Sequence, residues 1–335
     1  MSNKILINII KANEGPCFNA ADKARADVEH TLVKNGYQVL NVPLALHLNK
    51  LKAVSKHLLE IKKVLSFIKK NKPKKIIFQY PGFRIGIKSI DFMMYFLKKY
   101  HVTFLVHDVD SLRFHGSISK REVNLMNKAD EVIVHTENMK NYLIENGVKT
   151  PMKVMWLFDY YAKGEAKLNE PKTNYSLIFA GNLDKSGFLK KMETVIGSHK
   201  LFLYGLPIEY QWPENIEYEG KFAPDEINDL KGDWGLVWDG NSLDRCDGNM
   251  GVYLKYNSSH KNSLYIASGK PIIIWKKSGM ASFIIKNNLG IAVDSLADIN
   301  EVLSSISKED YLKFQSSVEK FQRRLRTGKM LEAQL

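Results

Sequence analysis

A lysine set among small polar residues just ahead of an apolar run is where phosphate chemistry would be built. Tyr256-Asn257-Ser258-Ser259 leads into His260-Lys261-Asn262-Ser263-Leu264, followed by Tyr265-Ile266-Ala267-Ser268-Gly269-Lys270-Pro271-Ile272-Ile273. The spacing predicts a loop, a helix beginning at His260, a glycine turn and a buried strand. A helix N-terminus presents backbone N–H groups and a partial positive charge. Lys261 in the first turn and the Ser263 hydroxyl add donors, so the segment would cradle a diphosphate. An ordinary capped helix closed by a Gly-Lys-Pro turn would give the same string, and the motif alone leaves both readings open.

Other residues with chemical potential stand at the ends of apolar runs. Gly181-Asn182 follows one such run, and Lys185 lies within reach of the same turn. Asp239 ends Gly235-Leu236-Val237-Trp238 and would bind ligand hydroxyls or cap the next turn. His107 and Asp108 end the run that starts at Val102. An imidazole and a carboxylate there could take the proton from a substrate hydroxyl; Asp108 is expected as the base or a substrate ligand, with His107 orienting it or exchanging roles with it. Gly15, Ala20 and Ala21 lie in or just after a Gly-Pro loop, and Arg84 and Arg113 could meet an anionic acceptor. The first loop lacks GxGxxG, which argues against a nicotinamide cofactor.

Strands alternating with helices must position these residues. Strand-like runs are expected at residues 4–10, 37–44, 75–80, 102–107, 131–136, 154–157, 175–180, 201–204, 216–218, 234–238, 271–275 and 290–293. Helical periodicity is expected at 19–35, 51–70, 89–100, 119–128, 139–146, 224–231, 260–268, 280–287, 299–306 and 309–324. Short β-branched runs alternating with helices imply parallel sheets covered on both faces. The expected fold class is α/β: two Rossmann-like doubly wound domains with a cleft between them, where ligands meet the carboxyl ends of the strands. Expected boundaries are 1–158 for a first Rossmann-like domain, 159–174 for a polar linker, 175–308 for a second Rossmann-like domain and 309–335 for a C-terminal helix returning toward the first domain.

The chain has 335 residues and a net charge of +13, which favours anionic partners. Lysines cluster at Lys56, Lys62, Lys63, Lys69, Lys70, Lys72, Lys74 and Lys75, and a second basic group is Arg323, Arg324, Arg326 and Lys329. Such runs are solvated helix faces, a membrane-surface patch or a subunit contact. Nucleic acid is not expected as a partner, since no RNA-binding aromatic motif, zinc finger or recognition helix accompanies them. Cys17 and Cys246 lie far apart with no Cys/His cluster around them, so neither a disulfide framework nor a zinc site is expected. The apolar run after Lys4 is too short for a signal peptide, and no stretch approaches membrane-spanning length. A cytoplasmic protein is expected, with the inner face of the membrane as the place of any peripheral contact.

The 256–273 segment, with Phe104-Leu105-Val106-His107-Asp108-Val109-Asp110-Ser111-Leu112-Arg113-Phe114, Asn127-Lys128-Ala129-Asp130-Glu131-Val132-Ile133-Val134-His135-Thr136 and Gly235-Leu236-Val237-Trp238-Asp239, resembles the GT-B glycosyltransferases. The resemblance narrows to the bacterial family of β-1,6-galactofuranosyltransferases and the glucosyltransferases that extend O-linked GlcNAc on serine-rich adhesins. It implies a UDP-sugar site at Ser259, His260, Lys261, Asn262, Ser263 and Leu264, with Gly181, Asn182, Lys185 and Asp239 beside it. His260 stands where the family has an aromatic residue, and Asn262-Ser263 where it has Leu-Gly. Asp108-Val109-Asp110 has the spacing of a metal-binding pair, but the resembled family is metal-free, so no metal and no cofactor are expected. The reading is inverting transfer of a hexose, galactofuranose before glucose, to a hydroxyl of a glycan or glycoprotein. A non-catalytic partner that keeps the fold is the alternative, a basic nucleic-acid module a remoter one; oligomeric state stays open.

Overall fold

The structure is a computed structural model in which residues 3–11, 20–44, 50–81 and 87–335 are described. The chain divides into two compact units, Met1–Met155 with Leu331–Leu335, and Trp156–Met330.

The first unit runs β1 (Lys4–Lys11), α1 (Ala20–Lys34), β2 (Gln38–Leu44), α2 (Lys50–Asn71), β3 (Lys75–Tyr80), α3 (Ile87–Leu97), β4 (His101–Val106), α4 (Asp110–His115), α5 (Lys120–Met126), β5 (Glu131–Val134), α6 (Glu137–Glu145) and β6 (Met152–Val154). Its six strands are parallel in the order β2-β1-β3-β4-β5-β6. β3 and β4 read as near-continuous apolar runs because helices cover both sheet faces, and Ile76, Ile77, Phe78, Phe104 and Leu105 are fully buried. The chain reverses direction across the sheet between β1 and β3, so the crevice for a ligand opens there.

The second unit runs β7 (Leu177–Ala180), a 3-10 helix (Gly187–Thr194), β8 (Leu201–Tyr204), β9 (Ile216–Gly220), β10 (Trp234–Val237), α7 (Gly248–Tyr253), α8 (His260–Ala267), β11 (Ile272–Trp275), α9 (Ala281–Lys286), β12 (Gly290–Val293), α10 (Ile299–Ser305) and α11 (Lys308–Arg326). A last turn, α12 (Lys329–Glu332), follows. The parallel sheet has the order β12-β11-β10-β7-β8-β9, the doubly wound arrangement with its switch point between β7 and β10. Helix α11 packs on α8. Its Gln322 Nε2 and Arg326 Nε donate to the Ala267 carbonyl at 3.1 and 2.8 Å, placing a cation at the α8 C-terminus. Residues 159–174 lie in this unit and are tied to it through Tyr160 N to Leu325 O (3.0 Å) and Lys163 N to Asp225 O (2.7 Å). Leu331–Leu335 belong to the first unit, where Lys75 Nζ donates to Leu335 O at 3.0 Å and Lys153 Nζ to Gln334 O at 3.2 Å.

Two expected elements differ. Residues 224–231 form successive turns, not a helix. Ile227 and Leu230 bury at helical spacing, but Pro224, Asp225 and Asn228 favour turns, and the Asn228 side chain bonds Lys163 O at 2.7 Å. The strand expected at 154–157 is instead β6 at Met152–Val154, because Trp156 adopts φ 64° and leaves the ladder. The short α4 and α7 and the 3-10 helix carry too few turns to show a period.

Candidate active site

Helix α8 points its N-terminus at the carboxyl ends of β7 and β10. Those strands pair only through Trp234 with Leu177 and Gly235 with Ile178. Beyond that the Tyr265 hydroxyl sits between them, accepting from Ala180 N at 2.9 Å and donating to Leu236 O at 3.3 Å. Gly235 permits the approach: a Cβ there would lie 2.1 Å from Tyr265 Cγ. The wedge holds the switch point open while satisfying the backbone groups it separates.

Three of the expected donor residues meet in that opening. Lys261 Nζ bonds Asp239 Oδ1 at 2.9 Å and lies 4.8 Å above the Phe179 ring. Gly181 leaves room for the lysine stem, since a Cβ at that position would be 3.0 Å from Lys261 Cε. Both members of the ion pair are largely buried, at 14% and 26% side-chain exposure, so the lysine charge is held rather than solvated. Asp239 begins a tight loop closed by Asp247, whose carboxylate accepts from Asn241 N at 2.6 Å. Ser263 and Asn262 are buried in the first turn of α8; Ser263 Oγ and Asn262 Oδ1 have no hydrogen-bond partner, while Asn262 Nδ2 returns to Ser259 O at 3.0 Å. His260 packs its ring on Tyr160 (5.1 Å) and Phe158 (6.3 Å). Leu264 joins the apolar core, Ser259 is the N-cap, and Asn182 and Lys185 are exposed, with Lys185 N bonding Asn182 Oδ1 at 3.1 Å.

In the first unit, His107 Nε2 donates to Gln79 Oε1 at 2.6 Å. Gln79 Nε2 donates to Asn8 Oδ1 at 3.2 Å, and Asn8 Nδ2 to Glu29 Oε2 at 2.7 Å. This chain of amides crosses β4, β3 and β1 at their carboxyl ends and fixes the imidazole. Asp108 pairs with Arg113, five residues on along α4. Arg113, expected to face an anionic acceptor, therefore holds this carboxylate. Asp110 begins α4. Burial, then the neighbouring Asp108 and Glu122 charges, raise its pKa to about 6. Arg25 of α1 is buried and donates to the carbonyls of Gln79 (3.3 Å) and Pro81. Desolvation lowers its pKa to about 10, with Asp108, Asp22 and Asp110 opposing the shift. Glu122 anchors the start of α4 by accepting from Tyr80 OH at 2.7 Å and Ser111 N at 3.1 Å.

Ala20 and Ala21 open α1. Gly15 and Arg84 lie outside the described residues. Sequence reasoning did not assign roles to Arg25, Gln79 or Asp110; the signals were an Asn inside an apolar strand, a Gln inside another, and the Asp-x-Asp spacing. Among the described residues no group of three or more His, Cys, Asp or Glu side chains is placed to hold a metal ion.

Residues 5–157 match the N-terminal domain of the glucosyltransferase 3-like family and residues 177–335 its C-terminal domain. The chain is 32% identical to the β-1,6-galactofuranosyltransferase WbbI of Escherichia coli (strain K12) over 236 residues, 69% of each chain. It belongs to the glucosyltransferase 3-like family. Glucosyltransferase 3 of Streptococcus gordonii is 29% identical over 243 residues, covering 68% of this chain and 67% of that one. Among solved structures, sucrose-phosphate synthase from Thermosynechococcus elongatus superposes with a TM-score of 0.62 at 12% identity, over 98% of this chain and 97% of that chain. At that identity the likeness establishes the fold, which is GT-B, with two Rossmann-like parallel-sheet domains. The members named are hexosyltransferases, and the chain is a glycosyltransferase of the same class.

Proposed function

We propose that this family member transfers a hexose, galactofuranose before glucose, from a UDP-sugar to a hydroxyl of a glycan or glycoprotein, with inversion and without a metal. The observation that carries the reading is Lys261 at the α8 N-terminus, held against Asp239 and Gly181 where β7 and β10 part. Helix N–H groups and a desolvated ammonium suit a diphosphate, and they stabilise the charge that grows on it as the sugar leaves. The buried Ser263 hydroxyl and Asn262 amide oxygen supply further polar groups in the same turn. Asp239 would then exchange part of its lysine contact for sugar hydroxyls.

The acceptor hydroxyl loses its proton to the Asp108–Asp110 pair. Asp110, with its pKa raised to about 6, takes the proton, while Asp108 orients through Arg113. The acceptor oxygen forms the new bond to the anomeric carbon, the bond to the diphosphate breaks, and UDP departs with the negative charge. His107, fixed by Gln79, is a positioning residue for the acceptor.

The test is UDP release by the full chain with UDP-galactofuranose, UDP-galactose, UDP-glucose and UDP-GlcNAc and simple glycoside acceptors. Release with one hexose donor is expected. UDP binding with no turnover across the panel would replace the enzyme by a non-catalytic partner.

A further inference from the structure

Helix α3 is apolar on two sides. Ile90, Met93, Met94 and Leu97 recur at helical spacing and are buried. The opposite side carries Phe92, Tyr95 and Phe96, which are 47%, 61% and 42% exposed. Their rings touch, Phe92 to Phe96 at 5.1 Å and Tyr95 to Phe96 at 5.3 Å, both edge to face, so they form one continuous ridge. A surface helix of this length would ordinarily be polar there, and a contiguous exposed aromatic patch marks an interaction site.

Lysines stand at the C-terminal end of the ridge and on the neighbouring helix. Lys98 Nζ lies 4.8 Å over the Tyr95 ring and Lys99 Nζ 5.2 Å over that of Tyr100. The crossovers through α2 and α3 run in one direction along the sheet, which puts both helices on the same face, and α2 packs beside α3. Helix α2 presents exposed Lys62, Lys63, Lys69 and Lys70 around Leu59 and Phe67. The nearby acids are compensated: Glu60 is buried against Lys63 at 2.7 Å, and Asp91 pairs with Lys128 at 2.6 Å.

We propose that the outer faces of α2 and α3 dock on an anionic lipid bilayer. The lysines pair with headgroup phosphates, and Phe92, Tyr95 and Phe96 enter the interfacial layer, where amphipathic rings reside. Charge complementarity selects this occupant. A second copy seated on the same face by a two-fold axis would bring its lysines against these lysines. No helix of the described residues is long and apolar enough to cross a membrane, so the contact is peripheral. The inference does not rest on the donor site, because binding is read without nucleotide or turnover.

The experiment is co-sedimentation of the full chain with vesicles of phosphatidylcholine alone or mixed with phosphatidylglycerol, at low and high salt. Binding to the mixed vesicles is expected, weakening with salt. Two independent variants, Phe92→Ser/Tyr95→Ser/Phe96→Ser and Lys69→Glu/Lys70→Glu/Lys98→Glu/Lys99→Glu, should each lower the partition coefficient about tenfold or more. Both should keep their far-ultraviolet circular dichroism and their UDP release with a soluble acceptor. Equal binding to both vesicle types, or undiminished binding by both variants, overturns the proposal. So does a wild-type dimer that ignores vesicles and dissociates in the aromatic variant, or retention on RNA without vesicle binding.

Discussion

Asp108 and Asp110 lie two residues apart, yet their surroundings push them toward different work. Asp108 spends its charge on Arg113, while Asp110 is half-buried among other acids and holds a pKa of about 6. If Asp110 takes the acceptor proton, kcat/KM falls about tenfold per pH unit below about 6, and Asp110→Asn loses about 10²–10⁴-fold in kcat together with that acid limb. The same substitution reports on stability with a definite sign. The folded carboxyl titrates near 6 and its unfolded counterpart near 3.8, so the native state binds more protons between those values. Stability from this group rises as pH falls through that window and is lost above it. Asp110→Asn should therefore raise Tm at pH 7 relative to the parent and lower activity in the same sample. At the other sheet, Lys261→Ala should cost about 10²-fold or more in kcat/KM, read by UDP release, because the departing diphosphate loses its cation. A change in donor KM alone, with kcat intact, would confine Lys261 to binding.

At the scale of elements, the proposed donor site depends on how α8 meets β7 and β10. Tyr265 is buried, its pKa is raised by desolvation, and its hydroxyl joins two strands that no longer bond each other. Tyr265→Phe leaves the Ala180 N–H without its partner, which should cost about 1–3 kcal/mol of stability in denaturant titration. Gly235→Ala forces a methyl against the same ring and should destabilise further, shifting α8 and with it Lys261. Helical spacing and the Gly-Lys-Pro turn made α8 legible in the sequence, and its observed span, His260–Ala267, lies within the expected 260–268. The tyrosine wedge was not legible, because the partners of its hydroxyl lie 85 and 29 residues away. Residues 224–231 fail in the opposite sense: two apolar residues at helical spacing met a core, while the intervening turn formers chose the backbone.

For the whole molecule, two parallel sheets differ in strand order, yet each leaves its polar residues at the carboxyl ends beside the point where the winding reverses. In the proposed donor site of the second unit, a lysine and a helix terminus would neutralise the diphosphate in place of a divalent cation. UDP release by the full chain should therefore be unchanged in excess EDTA; loss restored by added magnesium would reject that account. The net charge of +13 is distributed unevenly. Lys75 turns inward to the C-terminal backbone, and Arg326 to the end of α8, while the α2 and α3 lysines stay outside. Alternating apolar runs determined the fold class and the place along the chain of nearly every strand, because burial on two sheet faces writes a local pattern. The Lys261 segment was likewise local. What the tertiary structure alone decided is which distant groups share a field: Asp110 with Glu122, Arg25 with the β3 carbonyls, Lys261 with Asp239. Those pairings follow from strand order and helix packing, and electrostatics acts across space rather than along the chain.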